Sequence, residues 1–451
     1  MKLFISVAVF CTLLFSCKPS NYNTVVDDPF MFSKTVKKLN DIVLENNFPP
    51  MIAARNYVYA SIAAYECIAA GDSSYRSLSG QIKHMPTMPK PIPGKKMDYR
   101  FASMLAFTKV GNAVTFPEGS MMGYYNELIQ TANDAGMPDE ILMNSKAYAD
   151  TIFAAIMKWS KNDNYAQTRS ASKYTVTDQE GRWVPTPPSY SSAMESHWME
   201  IRTMALDSAK ECKPIPPPVY SIKDTNGIYF KCLMEVKKSV ENLDSNEKHM
   251  ANFWDDNPFK LNVSGHVMFA TKSFSPGGHW LNIVGIAAQK ANADFNTTVY
   301  AYAKTSIALF DGFISCWDEK FRSNTIRPET VINKYYDAEW RPFIQTPPFP
   351  AYISGHSVIS AAAAEVMTDI FGDNFTYRDT SETEFGVSPR PFTSFRQAAW
   401  EASMSRMYGG IHYMFDLVEG NKQGRRIGDI VVNRMRMKRK MSNAQGNKAS
   451  L

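Results

Sequence analysis

The chain is short of the features that mark most metal, membrane and repeat proteins. Its six cysteines in 451 residues include no Cys-x-x-Cys pair, which excludes a zinc ribbon or an iron–sulfur scaffold. Beyond the first residues there is no run of ~20 apolar side chains, so no later segment spans a bilayer as a helix. Low-complexity tracts and internal repeats are absent, excluding linkers and solenoids. Sustained period-two alternation is missing too, which argues against a sandwich or barrel. Charge is close to balanced at +5, with the excess in "RMRMKRK" (Arg434–Lys440). No aromatic-interleaved basic surface accompanies that run. Nucleic-acid binding is therefore not expected, and the run reads as a solvated tail leading into a basic polar segment, 441–451.

What is present begins at the N-terminus. "MKLFISVAVFCTLLFSC" has Lys2, an apolar stretch Leu3–Phe15 and a small residue, Ser16, before Cys17. This is a secretory signal, and "LLFSC" resembles a bacterial lipobox, in which Cys17 would carry the lipid. An ordinary cleaved signal or a short anchor is the alternative reading. The expected location is the bacterial cell envelope, with the membrane reached only through the N-terminal lipid. Export permits a disulfide, and Cys212–Cys232 is the candidate, although spacing alone cannot establish it.

Helical periodicity dominates the rest. "VYAYAKTSIALFDGFISCW" places Val299, Tyr302, Ala303, Phe310, Phe313, Ile314 and Trp317 on one face. "ISAAAAEVMTDIFGD" predicts a helix that starts after Gly355 and stops at Gly372. "SFRQAAWEASMSRMYGG" opens on a capping-box pattern, Ser394 and Gln397, and ends at Gly409-Gly410. Met51–Ala70 is an alanine-rich helix suited to close packing. The fold class is all-α: a large helical assembly with an anion site in a four-helix core of its C-terminal half. Pro-rich punctuation between Val184 and Tyr220 separates an N-terminal helical region (18–244, after a signal at 1–17) from a C-terminal one (245–440).

Three clusters in that second half suit one small oxyanion. In "DEKFRSNTIRPET", Lys320 and Arg327 are two helical turns apart, and Pro328 places the arginine just past a helix end. In "PPFPAYISGHS", prolines stiffen the approach, Gly355 permits close backbone approach, and the N–H groups at the start of the following helix face outward. In "SRMYGGIHYMFD", Arg406 ends one helix, Gly409-Gly410 turns, and His412 begins the next. Together they supply three cations, the Ser354 hydroxyl, a backbone N–H and two imidazoles. Arginines bind oxyanions through paired donors and lysine acts as a point charge. One histidine can bond the central atom axially while the other moves a proton.

Lys-x6-Arg-Pro, then Ser-Gly-His, then Ser-Arg-x3-Gly-x-His resembles the signature shared by vanadium-dependent haloperoxidases and type 2 phosphatidic-acid-phosphatase-like acid phosphatases. Ile353 departs from it, standing where a proline often precedes the serine. "AARNYVYASIAAYECIAAG", "GRWVPTPP", "NFWDDNP", "PGGHW" and "CWDEKFRSNTIRPETVI" are similar to landmarks of bacterial haloperoxidase-related proteins. Ser354-Gly355-His356 lies between the other two blocks, whereas the earlier Ser264-Gly265-His266 has no proline approach or alanine-rich helix and reads as coincidence.

The resemblance implies vanadate held by Lys320, Arg327, Ser354, Gly355, Arg406 and a bond from His412, with His356 handling the proton of hydrogen peroxide and halide as the second substrate. It places Trp317 and Phe349 in the halide pocket. It also implies a salt bridge to Arg406 from Asp256 or, equally, Asp255. Asp416, four residues after His412, either orients that imidazole or is a surface helix residue. Phe349 stands where algal bromoperoxidases tend to carry histidine, which favours chloroperoxidase-like chemistry. The alternative enzyme reading is a phosphatase in which His412 attacks a phosphate ester and phosphate fills the same pocket. A third reading is a tethered oxyanion-binding protein without turnover. Helical bundles of this kind often form a homodimer, although no interface is readable. His84, His197, His249, His266 and His279 show no metal spacing and read as structural or surface residues.

Overall fold

The computed structural model describes residues 21–117, 119–258, 260–264, 267–271 and 273–439. The signal, Cys17 and the tail 441–451 lie outside them. The N-terminal part contains α1 (Tyr22–Val26), α2 (Pro29–Glu45), α3 (Pro50–Gly71), α4 (Tyr99–Val114), α5 (Met122–Asp134), α6 (Asp139–Ser160) and the single turn α7 (Tyr165–Thr168). After a long irregular stretch come α8 (Ile228–Glu241), α9 (Ser245–Phe253), α10 (Pro276–Lys290), α11 (Phe295–Ser323), α12 (Pro328–Tyr335), α13 (Gly355–Phe371), α14 (Phe395–Tyr408) and α15 (Met414–Arg434). Two antiparallel hairpins interrupt them: β1 (Lys260–Ser264) with β2 (Val267–Thr271), and β3 (Tyr377–Asp379) with β4 (Arg390–Phe392). Leu261 faces Ala270 in the first, and Tyr377 faces Phe392 in the second. Of the earlier Ser-Gly-His, Ser264 ends β1, and Gly265 and His266 are outside the described residues.

Helix α11 is the spine. Asp294 caps its start by accepting the Thr297 N–H, and Asn324 ends it in a left-handed conformation. The face expected to be buried is buried, but so is nearly every residue from Phe295 to Lys320. The opposite side packs on α3 while the other packs on α13, so the helix is enclosed all round. Two of its embedded charged groups find partners elsewhere in the fold. Lys304 pairs with Asp369 at 2.8 Å, and Asp311 accepts the backbone N–H groups of Met204, Ala205 and Leu206. One hydrophobic cluster runs from Val26 to Met437 through both halves of the chain.

Helices α13 and α15 pack against each other most extensively. Gly420, Gly424 and Gly428 line the contact. A Cβ on Gly424 would lie 2.1 Å from the Val358 carbonyl oxygen, and one on Gly420 3.0 Å from that of Ser354. Only glycine lets the backbones come this close, and this approach sets the start of α13 against the start of α15.

Two expectations fail here. Cys212 and Cys232 are free thiols, as are Cys67 and Cys316. The run after Arg434 is not a loose solvated tail: Met435 and Met437 are buried while Arg436, Lys438 and Arg439 point outward. The Arg76 N–H donates to the Met437 carbonyl and the Arg439 N–H to that of Ser74, both at 2.8 Å. The period-two pattern Arg-Met-Arg-Met-Lys-Arg is thus a short extended strap with its methionines inward. Among the described residues no helix is long and apolar enough to cross a membrane.

Candidate active site

The last turn of α11 brings Lys320 to the centre of the C-terminal half. Pro328 at the first position of α12 makes Arg327 its N-cap residue. The segment Phe349–Ala351 crosses between them and accepts from both. Lys320 Nζ donates to the carbonyls of Pro350 at 2.9 Å and Ala351 at 3.1 Å, and Arg327 Nε to that of Phe349 at 2.8 Å. The Phe349 ring lies beneath both cations, 4.9 Å from Lys320 Nζ and 5.2 Å from the Arg327 guanidinium carbon. Proline stiffening of this segment therefore serves to aim two cations.

Ser354 caps α13, accepting the Ser357 N–H at 3.3 Å, and its own N–H donates to the Asp416 carbonyl at 3.2 Å. Arg406 comes from the last turn of α14. It donates to the carbonyls of Trp254 and, at 3.3 Å, Asp255. Gly410 turns the chain at φ +80°, and His412 sits in that turn, immediately before the Tyr413 cap of α15, rather than on the helix itself. His412 Nδ1 pairs with Asp416 Oδ2 at 2.8 Å, and Nε2 is 3.1 Å from Arg327 Nη1. Asp416 is fully buried, which rules out its reading as a surface residue.

These groups meet at a cavity of about 420 Å³ lined by Phe313, Trp317, Phe349, Gly355, His356, Arg406 and His412, among others. Trp317 and Phe349 touch with ring centres 5.0 Å apart, and Trp317 Nε1 donates to the Met194 carbonyl. Lys320, Arg327 and Ser354 are fully buried at its back, and Arg406 is 2% exposed. Among the described residues no carboxylate comes within ion-pair distance of Lys320, Arg327 or Arg406. Arg327 Nη2 is buried with no hydrogen-bond partner at all. Three buried cations with no carboxylate in ion-pair contact are costly unless an anion joins them. Burial pushes Arg327 and Arg406 down to about 10, and it lowers Lys320 as well.

The expected salt bridge to Arg406 is not formed. Asp256, in a left-handed conformation at φ +44°, turns its carboxylate to two histidines instead. Oδ1 is 2.9 Å from His279 Nδ1, and Oδ2 is 3.4 Å from His356 Nε2, close enough for an ion pair but too poorly aligned for a hydrogen bond. Arg406 is satisfied by the carbonyls immediately before Asp256. Burial, and then the Arg406 charge, hold His356 down to about 4, so its ring is neutral near pH 7. Burial also holds His412 well below the ordinary histidine value, reinforced by Arg327 and Lys320. With Nδ1–H given to Asp416, the His412 Nε2 lone pair faces the cations and accepts from Arg327 Nη1.

His279 is where the sequence reading fell short. It is fully buried on α10, with Nε2 3.0 Å from Asp379 Oδ2. Its partners are 23 residues before it and 100 after it, so no local spacing signals the cluster.

The donor set fits a tetrahedral oxyanion: three cations, an unpartnered guanidinium nitrogen, a helix N-terminus and a neutral imidazole nitrogen.

Residues 336–440 match a family model described as the VCPO second helical-bundle domain. A solved structure titled as the first bacterial vanadium-dependent iodoperoxidase is 42% identical, with a TM-score of 0.86 over 92% of this chain and 98% of that one. Holo and apo structures of a bacterial vanadium-dependent chloroperoxidase share the fold at 14% and 15% identity. Each has a TM-score of 0.65; they cover 87% and 86% of this chain and 93% and 94% of their own. No curated protein matches the sequence.

Proposed function

Because the chain belongs to the vanadium-dependent haloperoxidase family, we propose that it oxidises halide with hydrogen peroxide at the cavity lined by α11, α13, α14 and the turn that carries His412. The observation that carries the reading is the trio of buried cations, Lys320, Arg327 and Arg406, without carboxylate partners. Vanadate fits that trio, and when bound it supplies a Lewis acid that activates peroxide without a change of oxidation state.

The chain's own residues do the rest. Lys320, Arg327 and Arg406 hold the oxyanion's oxygens and offset their charge, with Ser354 and the Gly355 N–H completing the cradle. His412 offers Nε2 to the central atom, its tautomer fixed by Asp416. His356, neutral and open to the cavity, takes the proton that hydrogen peroxide gives up and returns one to the departing oxygen. Trp317, Phe349 and Phe313 exclude water from the place where halide meets the activated oxygen.

The halide we assign is iodide. The 42% identical relative is titled an iodoperoxidase, and an apolar aromatic wall suits a large, polarisable, weakly hydrated anion. This departs from the chloroperoxidase-like chemistry that Phe349 suggests by resemblance. Export with a lipid on Cys17 is part of the same reading, supported by "LLFSC"; palmitate labelling lost in Cys17→Ser tests it.

Purified protein is assayed with and without vanadate, given peroxide plus iodide, bromide or chloride, and separately a chromogenic phosphate ester. Vanadate-dependent iodide oxidation supports the proposal. Ester hydrolysis inhibited by vanadate, with no halide oxidation, overturns it in favour of a phosphatase.

A further inference from the structure

Behind His356 a line of buried polar groups leads away from the cavity. From His356 Nε2 it runs to Asp256 (3.4 Å), to His279 Nδ1 (2.9 Å), and from His279 Nε2 to Asp379 (3.0 Å). The His279 ring stacks on Trp254, with centres 4.5 Å apart and planes 16° from parallel, which fixes its orientation. A neutral imidazole has one N–H and can donate to only one carboxylate. Two ring nitrogens, each hydrogen-bonded to a different carboxylate, need protons on both. His279 is therefore an imidazolium. Burial opposes that charge, but Asp256 and Asp379 outweigh it and hold the ring well above the ordinary histidine value. The third carboxyl, Glu382, is 3.5 Å from Nδ1 and is pushed up by burial, to about 8, which leaves it uncharged near neutrality.

Asp256 could not keep its place unaided. A left-handed φ on a non-glycine residue is strained, and a buried carboxylate needs a counter-charge. His279 supplies that charge from below while Asp379 holds His279 from the far side.

We propose that His279 is a positioning residue for the peroxidase reaction: pinned between Asp379 and Asp256, it holds the Asp256 carboxylate against His356 Nε2. It touches neither oxyanion nor halide and acts only through Asp256. The inference rests on His356 as the proton carrier. The charged and titratable groups facing His356 are Asp256 from the loop after α9, Arg406 from α14 and His412 from the turn before α15. Those facing His279 are Asp256, Asp379 on β3 and Glu382 just beyond it. Positive charge on Arg406 and His279 opposes protonation of His356, and Asp256 favours it. Removing the His279 charge lets the Asp256–His356 pair take up a proton at higher pH.

The test needs no bound vanadate. In apoprotein labelled with 15N-histidine and followed by NMR from pH 5 to pH 9, His279 should stay doubly protonated throughout. His356 should be neutral with its proton on Nε2. In His279→Asn, the His356 midpoint should rise by about one unit or more, and phosphate binding to the apoprotein should change less than about threefold. The acid limb of iodide oxidation should move up with the midpoint. A His279 ring with a single proton near neutrality in the wild type overturns the proposal, whether or not the variant folds. So does a folded His279→Asn with an unmoved His356 midpoint. Stoichiometric divalent metal in the wild type that disappears in the variant also overturns it, because a cation rather than a proton would then join the carboxylates. Failure of the proton-carrier reading looks different: His356→Ala would keep full turnover while the His279 titration result stood.

Discussion

His412 and Asp416 form a closed unit at the head of α15, Nδ1 to Oδ2 at 2.8 Å, with the same carboxylate oxygen accepting the Tyr413 N–H at 3.1 Å. Both side chains are almost wholly buried. The carboxylate thus chooses which imidazole nitrogen is left for the oxyanion. Asp416→Asn leaves the shape intact but removes the charge that fixes this tautomer. Vanadate affinity measured by titration should fall about 10–100-fold, with little change in the fold by circular dichroism.

The unpaired cations make a stability prediction. Phosphate, which matches vanadate in shape and charge, should raise the melting temperature of the apoprotein, approaching about 2.7 kcal/mol at a hundredfold excess over its dissociation constant. In Arg406→Met that increment should largely vanish, since one of the three charges facing the anion is gone. Thermal scans across a phosphate series check it.

Acid should weaken the apoprotein through His356. Its folded value, about 4, is below the ordinary histidine value of about 6.5. Between those limits the unfolded chain binds the proton and the folded one does not, so stability falls as pH drops through that window and is fully present above it. The difference in melting temperature between wild type and His356→Gln isolates this group from buried carboxyls such as Glu382, which act in the opposite direction. Wild type should lose ground to the variant on acidification from pH 6.5 to pH 4.

Asp256→Asn separates proton handling from anion holding. Asparagine tolerates the left-handed backbone, so the substitution removes charge without forcing the loop to move. Iodide oxidation should drop at least about tenfold, while vanadate affinity stays within about threefold, because Asp256 does not pair with Lys320, Arg327 or Arg406. Steady-state rates together with a vanadate titration distinguish the two.

Gly424→Ala tests the helix contact beneath the site. A methyl group there meets the Val358 carbonyl at 2.1 Å, and overpacking of this kind costs about 1–3 kcal/mol. Both denaturation midpoint and vanadate affinity should fall, because α15 carries His412 and α13 carries Ser354.

The sequence made the oxyanion cradle readable because its parts are punctuated locally. Pro328 marks Arg327, the proline run and Gly355 mark Ser354, and the double glycine marks Arg406 and His412. The all-α class was legible for the same reason: long stretches such as α11 and α13 carry helical spacing with clear stops. What escaped depends on contacts across the fold. The two hairpins are too short to show alternation, and the methionine strap after Arg434 was masked by its basic residues. Asp256 was placed in the right neighbourhood but given the wrong partner, since nothing near it announces that His279 stands below. Cys212 and Cys232 remain thiols because the fold does not join them.

The bare cationic trio at the back of the cavity also ties the molecule to its surroundings. A pocket built for a tetrahedral oxyanion cannot tell vanadium from phosphorus by charge or outline alone. Abundant phosphate must therefore compete with scarce vanadate for the same seat. The working share of enzyme at any moment would follow the ratio of those two ions outside, making the protein a reader of trace-metal supply as well as a catalyst.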